Sequence, residues 1–368
     1  MKSHSFQEHS FRGRRDIEES LIEMNAEIKD LKSPDHLKEM TGIAFPAIVD
    51  LCRRAILPHL KERGIKIVRQ GNSLGEIVTD MDIESNRLFL DGDHKINFPG
   101  FHTLYPGSFT EEEDSGYRLE SDVVYENDPC DGTGDAVKTA GSKNPIWPTN
   151  LTTKLVRNSE TGLFVPTAGL IYSVVGEYGI VSDGRELFLG VPDEKRRFKK
   201  IPTKKIGHIE SKKVSVNWRE SYPQNNLYSN FYQFMQDEGW EIKKVRCGGA
   251  GDQALRLVRG CLEPVNKEWA DDFFNLEPID IIFNAQPDWK TWDTDPTCVI
   301  GKALGWPEPT DIYGHNLTAN AANQNFKDMH HTTGTVFSSS TELAGQFIEL
   351  ARKFMDKFPN NSLLEKNY

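Results

Sequence analysis

Between residues 37 and 60 the apolar positions Leu37, Ile43, Ile48, Leu51, Ile56 and Leu60 recur at helical spacing among polar ones. The pattern predicts one long amphipathic helix, with Ser33-Pro34-Asp35 as its cap, proline at the first helical position, and Gly64 near its end. Lys66-Ile67-Val68 reads as a short strand, and Ile77-Val78-Thr79 leads through Asp80-Met81-Asp82 into a second helical stretch over 83–90. Phe109-Thr110 leads into Glu111-Glu112-Glu113-Asp114, and Val123-Val124-Tyr125 into Asp128-Pro129-Cys130-Asp131-Gly132-Thr133. Three times, an extended apolar stretch ends in acids.

The following segment, 137–162, is polar, contains Lys143-Asn144-Pro145 and Trp147-Pro148, and reads as an irregular insertion. After it, 165–175 and 179–189 resemble antiparallel strands joined around Gly176-Glu177, with a further turn at Asp183-Gly184. The basic run 195–205 reads as a solvated loop and a lobe boundary. Beyond it, strands over 212–218 and 242–246 flank a helix over 225–238, and Gly248-Gly249-Ala250-Gly251 opens another helix with Leu255 and Val258 inward. This alternation predicts an α/β lobe. Ile279-Asp280-Ile281-Ile282-Phe283 then precedes Trp292-Asp293-Thr294-Asp295-Pro296, and a helix over 296–304 is expected to present Asp293 at its start.

A chain of 368 residues exceeds the usual size of a single core. The expected division is an arm over 1–33, an α+β lobe over 34–206 and a smaller α/β lobe over 207–368. The net charge of −11 argues against nucleic-acid polymers and anionic membranes as partners. Five scattered cysteines without metal or redox spacing suit a reducing compartment, and no run is long enough to span a bilayer. A cytoplasmic monomer or homodimer is the expectation.

The 128–133 stretch offers two carboxylates, a glycine that permits close backbone approach and a hydroxyl, which together outline a metal and phosphate site. An ordinary Asp-Pro-Gly surface turn has the same composition. Gly248 to Gly251 leaves room for a ligand at a helix N-terminus or serves close helix packing, and Asp293 is a ligand or a cap.

Taken together, Thr79-Asp80-Met81-Asp82, Glu112-Glu113-Asp114, the 128–133 block, Gly248 to Gly251 and Trp292-Asp293-Thr294 resemble the motifs of the inositol monophosphatase superfamily in order and approximate spacing. The 309–317 tail, Pro309 to Leu317, resembles its bisphosphate nucleotidase and inositol polyphosphate 1-phosphatase branch. The resemblance implies a layered αβαβα sandwich and a magnesium-dependent, lithium-sensitive phosphomonoesterase with two or three Mg2+, replaceable by Mn2+. It places Glu112 (or Glu113), Asp128 and the Cys130 backbone carbonyl on one metal, Asp128, Asp131 and Asp293 on a second, and Asp82 beside a third. Asp82 and Thr133 match the water-activating pair, and the Gly132 and Thr133 amides the phosphate site. Gly249, Ala250, Gly251, Phe283 and Trp289 are expected around the leaving group, with Lys290 or Arg256 on a further phosphate. The implied substrate is a small phosphate ester, adenosine 3′,5′-bisphosphate first, then an inositol phosphate or another specialised sugar or nucleoside phosphate; a non-catalytic binding relative is the lesser alternative. Glu111 in place of a glycine, Cys130, Gly134-Asp135, Asp295, and Gly305-Trp306 in place of a glycine pair depart from the family pattern.

Overall fold

The computed structural model describes residues 35–70, 77–93, 98–113, 117–192, 197–202, 212–218, 225–262, 271–284, 290–317 and 334–358. The arm over 1–33, Pro34 and Trp289 lie outside them.

A continuous helical rod over 36–63, α1, begins after Asp35, whose side chain accepts from Lys38 N at 3.0 Å. The cap is thus Asp35 itself, and His36, not a proline, opens the helix. Gly64 ends the rod at φ 76°. The hairpin β1 (Ile67–Gln70) and β2 (Ile77–Thr79) leads directly into α2 (Asp80–Asp91), so the second helix starts three residues before the expected 83.

Seven strands form the first sheet: β3 (Phe109–Thr110), β4 (Val123–Asp131), β5 (Thr149–Arg157), β6 (Phe164–Ser173), β7 (Tyr178–Ser182), β8 (Leu187–Val191) and β9 (Arg197–Lys200), in that order. All neighbours are antiparallel except β3 and β4. Between β4 and β5 lies α3 (Thr133–Thr139).

Two expectations fail here. The supposed insertion over 137–162 contains β5, which lies inside the sheet and hydrogen-bonds β4 and β6 along its length. Its polar residues mislead because they are buried: Thr149, Asn150, Thr152, Thr153 and Lys154 are all at most 3% exposed. Threonine suits a pleated strand, and several of the buried polar groups find partners across it. Asn127 Nδ2 donates to Asn150 Oδ1 at 3.1 Å and to Thr152 Oγ1 at 2.8 Å, while Lys154 pairs with Glu39 on α1. The basic run, likewise, is in part the edge strand β9, a place where exposed lysines block further pairing.

The second sheet has five strands: β10 (Lys213–Trp218), β11 (Glu241–Arg246), β12 (Ile281–Asn284), β13 (Thr310–Asp311) and β14 (Thr335–Ser338), ordered β11-β10-β12-β14-β13. Its helices are α4 (Asn225–Asp237), α5 (Ala250–Gly260), α6 (Thr291–Leu304) and α7 (Thr341–Lys357).

Strand alternation sends alternate side chains to opposite faces, and this builds the layers. Leu151, Ile171, Ile180 and Leu189 form one cross-strand row on the first sheet, packed with Ala254, Leu255 and Val258 of α5 and Ile300 of α6. Leu170, Tyr172 and Val181 belong to the cluster with Phe45 and Ile48 of α1 and Phe89 of α2. In the second sheet Ile282 and Phe337 join the α5/α6 layer, while Ile281, Phe283 and Val336 pack with Phe231 of α4 and Phe347 of α7. The result is an αβαβα sandwich, with α5 and α6 enclosed between the two sheets.

Helix α6 begins at Thr291, five residues before the expected start, and carries Pro296 inside it. Gly169 on β6 gives that turn its space: a Cβ there would stand 2.9 Å from the Pro296 backbone.

Candidate metal centre

The centre forms where β4 ends. Asp128 pairs with Leu151 and Asp131 with Thr149, so three steps on β4 oppose two on β5. Residues three apart in a regular strand face opposite sides; the extra residue re-aims the chain, and Pro129, which has no N–H to donate, fits such a bulge. Gly132 follows at φ 85°, a conformation that a side chain disfavours, and turns the backbone into α3.

This brings Asp128 and Asp131 together with Asp293 from the first turn of α6: one carboxylate oxygen of each lies within 4.8 Å of the others. Asp128 and Asp131 are 3% and 8% exposed. Burial, then the charges of Glu111, Asp131 and Asp293, push the Asp128 carboxyl well above its ordinary value. Burial, then Asp131 and Glu111, do the same to Asp293. Converging buried carboxylates need protons or cations to offset their repulsion. An all-oxygen donor set of this kind suits a hard divalent cation such as magnesium or manganese. The residues present therefore fit the metal.

Beside these acids, Thr133 Oγ1 lies 2.8 Å from Asp82 Oδ1, to which it donates, and 2.6 Å from the Cys130 carbonyl. The other Asp82 oxygen accepts from Thr79 N at 2.6 Å and Thr79 Oγ1 at 2.7 Å, which fixes the carboxylate in the first turn of α2. Burial, opposed by these hydrogen bonds, raises the Asp82 carboxyl to about 6. Asp128 Oδ1 accepts from Cys130 N at 2.9 Å, and Asp293 Oδ2 accepts from Lys290 N at 2.8 Å, so Asp293 also caps its helix.

No family model matches the chain, and no curated protein matches its sequence. Among solved structures, the IMPase of Thermotoga maritima superimposes with a TM-score of 0.54, at 14% identity over 85% of this chain and 97% of that one. An IMPase/NADP phosphatase complexed with Mg2+ and phosphate gives a TM-score of 0.54, 14% identity and coverage of 86% and 96%. Inositol monophosphatase II of Staphylococcus aureus gives 0.54, 13% identity and coverage of 89% and 98%. The fold is that of the inositol monophosphatases.

Within that inositol monophosphatase fold, the remaining expected site residues fall into different places. Glu112 is not one of the three converging carboxylates: its side chain, 23% exposed, pairs with Arg69 Nη2 at 2.9 Å. Burial and the charges of Glu111 and Asp82 raise its carboxyl to about 7. Glu113 instead accepts from Asn86 Nδ2 at 3.1 Å. Helix α3 starts at Thr133, so the Gly132 and Thr133 amides lie at a helix beginning, where N–H groups lack intrahelical acceptors.

The structure shows what surrounds the residues expected at the leaving group. A Cβ on Gly249 would stand 2.2 Å from Asp131 Oδ1, and one on Gly251 would stand 2.3 Å from Thr149 Oγ1. The small residues at the mouth of α5 thus make room for Asp131 and Thr149. Ala250 N and Gly251 N donate to the two Asp131 oxygens at 3.0 and 2.8 Å, and Thr149 Oγ1 donates at 2.7 Å. Phe283 is fully buried against Phe231 and Phe347, so it is core and unavailable to an adenine. Arg256 pairs with Asp252 at 3.0 Å and Lys290 with Glu111 at 2.7 Å.

Two carboxyl groups went unassigned in the sequence. Glu126, fully buried on β4, meets Asp295, buried on α6, and burial raises Asp295 to about 7. One lies on the strand of Asp128 and the other on the helix of Asp293. A glutamate inside the otherwise extended run before Asp128 was the available signal.

Proposed function

We propose that the protein is a magnesium-dependent phosphomonoesterase. The observation that carries this reading is the Thr133–Asp82 hydrogen bond of 2.8 Å beside three converging aspartates. A structural metal site has no need of a polarised hydroxyl.

Asp128, Asp131 and Asp293, with Glu112 and the Cys130 carbonyl, would hold the ions. Bound magnesium would supply Lewis acidity and an acidified water. The chain's own residues do the rest. Thr133 has a single hydroxyl proton; given to Asp82, it leaves the oxygen lone pairs to accept from an attacking water. Asp82, near 6 when metal-free, takes up proton density from Thr133 without leaving its Thr79 anchors. The Gly132 and Thr133 amides receive the phosphate oxygens.

The first substrate reading is the 3′-phosphate of adenosine 3′,5′-bisphosphate. It is supported by the Gly248 to Gly251 and 309–317 resemblances, and by neighbours of this fold described as an NADP phosphatase and as a staphylococcal IMPase-II bound to 2′-AMP. Inositol phosphates are the second reading, since neighbours of the same fold are inositol monophosphatases. Phosphate release from adenosine 3′,5′-bisphosphate, adenosine monophosphates, inositol 1-phosphate and inositol 1,4-bisphosphate, with magnesium and with excess chelator, tests both levels. A higher kcat/KM on either inositol ester overturns the nucleotide assignment. Full activity in chelator overturns the metal, and no release from any ester leaves a phosphate-ester binding protein.

A further inference from the structure

Glu111 leaves the end of β3, and Lys290 immediately precedes α6, so a contact between them ties the first sheet to the helix that carries Asp293. Lys290 Nζ lies 2.7 Å from Glu111 Oε1, with side chains 21% and 28% exposed. The ammonium also sits 5.1 Å from the Trp292 ring centroid, which gives it a fixed seat. Glu111 N donates to the Asn127 carbonyl at 3.0 Å, one residue before Asp128, and Lys290 N donates to Asp293 Oδ2 at 2.8 Å, so the ion pair is tied to two of the three aspartates.

We propose that Lys290 is the resident counter-ion of the acidic centre, paired with Glu111 in the metal-free protein and opposing the binding of divalent cations at the adjoining aspartates. The inference rests on the magnesium reading above and adds a residue that sets how tightly the metal is held. An ammonium beside the acidic centre and a divalent ion within it repel each other, and charge pairs are felt strongly in partly dry protein. The metal-free centre gains from the ammonium what the loaded centre loses.

The test is magnesium calorimetry on the metal-stripped full chain, with melting measured in chelator. Lys290→Met is expected to bind magnesium at least about tenfold tighter than wild type and to melt lower without metal. Lys290→Arg, which keeps the charge, is expected to stay near wild type in both. Should Lys290→Met fail to fold, Lys290→Gln carries the same expectation. Wild-type or weaker magnesium affinity in the neutral variants, alongside normal binding in wild type, overturns the inference alone. Absence of magnesium binding in wild type and all variants overturns the phosphatase reading beneath it.

Discussion

Gly249 and Asp131 compete for one volume: a Cβ on the glycine would stand 2.2 Å from the aspartate's Oδ1. The contact lets the first amides of α5 reach both Asp131 oxygens, tying the end of β4 to a helix 119 residues later in the chain. Gly249→Ala must push that helix away from Asp131. Overpacking of this kind costs about 1–3 kcal/mol. The expected outcome is a lower melting temperature together with weaker magnesium affinity. A variant with both at wild-type values would show that α5 does not depend on this contact.

Thr133→Ala removes the hydroxyl between Asp82 and Cys130 while leaving the three aspartates in place. Turnover should fall by about 100-fold or more with magnesium affinity kept. Asp128→Asn, in contrast, should lower both, because it removes a charge from the donor set. Loss of metal binding in Thr133→Ala would refute its assignment to the attacking water.

The metal-free protein should lose stability as pH rises. Asp82, Glu112 and Asp295 stand at about 6, 7 and 7 in the folded chain, each raised primarily by burial. The unfolded chain releases these protons from about pH 4 upward, the ordinary carboxylate range. Between there and about pH 7 the folded chain holds more protons, so the stability present at low pH is lost through that window. Melting in chelator should fall from pH 5 to pH 7.5, and stabilisation by magnesium should grow over the same range. A flat or rising profile in chelator would contradict the assignment.

Phe283→Ala tests a side chain expected at the substrate and found in the core. Truncation of a fully buried phenylalanine costs about 3–5 kcal/mol. Stability should fall by that amount, with KM for adenosine and inositol esters moving in parallel or not at all. A selective rise in KM for adenosine esters, at wild-type stability, would return Phe283 to the binding site.

Much of the architecture was legible because its causes are local. The spacing of Leu37 to Leu60 fixes a helix face, the alternation around Leu170 and Ile180 fixes strands, and Asp82, Asp128 and Asp293 stand at junctions written in adjacent residues. The family resemblance singles out Asp128, Asp131 and Asp293 together, and the structure brings the three carboxylates within reach of one another. What the tertiary structure alone decided concerns space and partners. Whether a polar run is loop or strand depends on distant groups: Thr149 is buried against Asp131 and Lys154 against Glu39, which makes β5 interior. Whether glycines make a pocket depends on what fills it, and Asp131 and Thr149 fill the space beside Gly249 and Gly251. Which partner each glutamate over 111–113 meets likewise follows from distant residues: Lys290 for Glu111, Arg69 for Glu112 and Asn86 for Glu113. Adjacent residues carry none of that information, because burial and charge pairing are set by elements that only folding brings into contact.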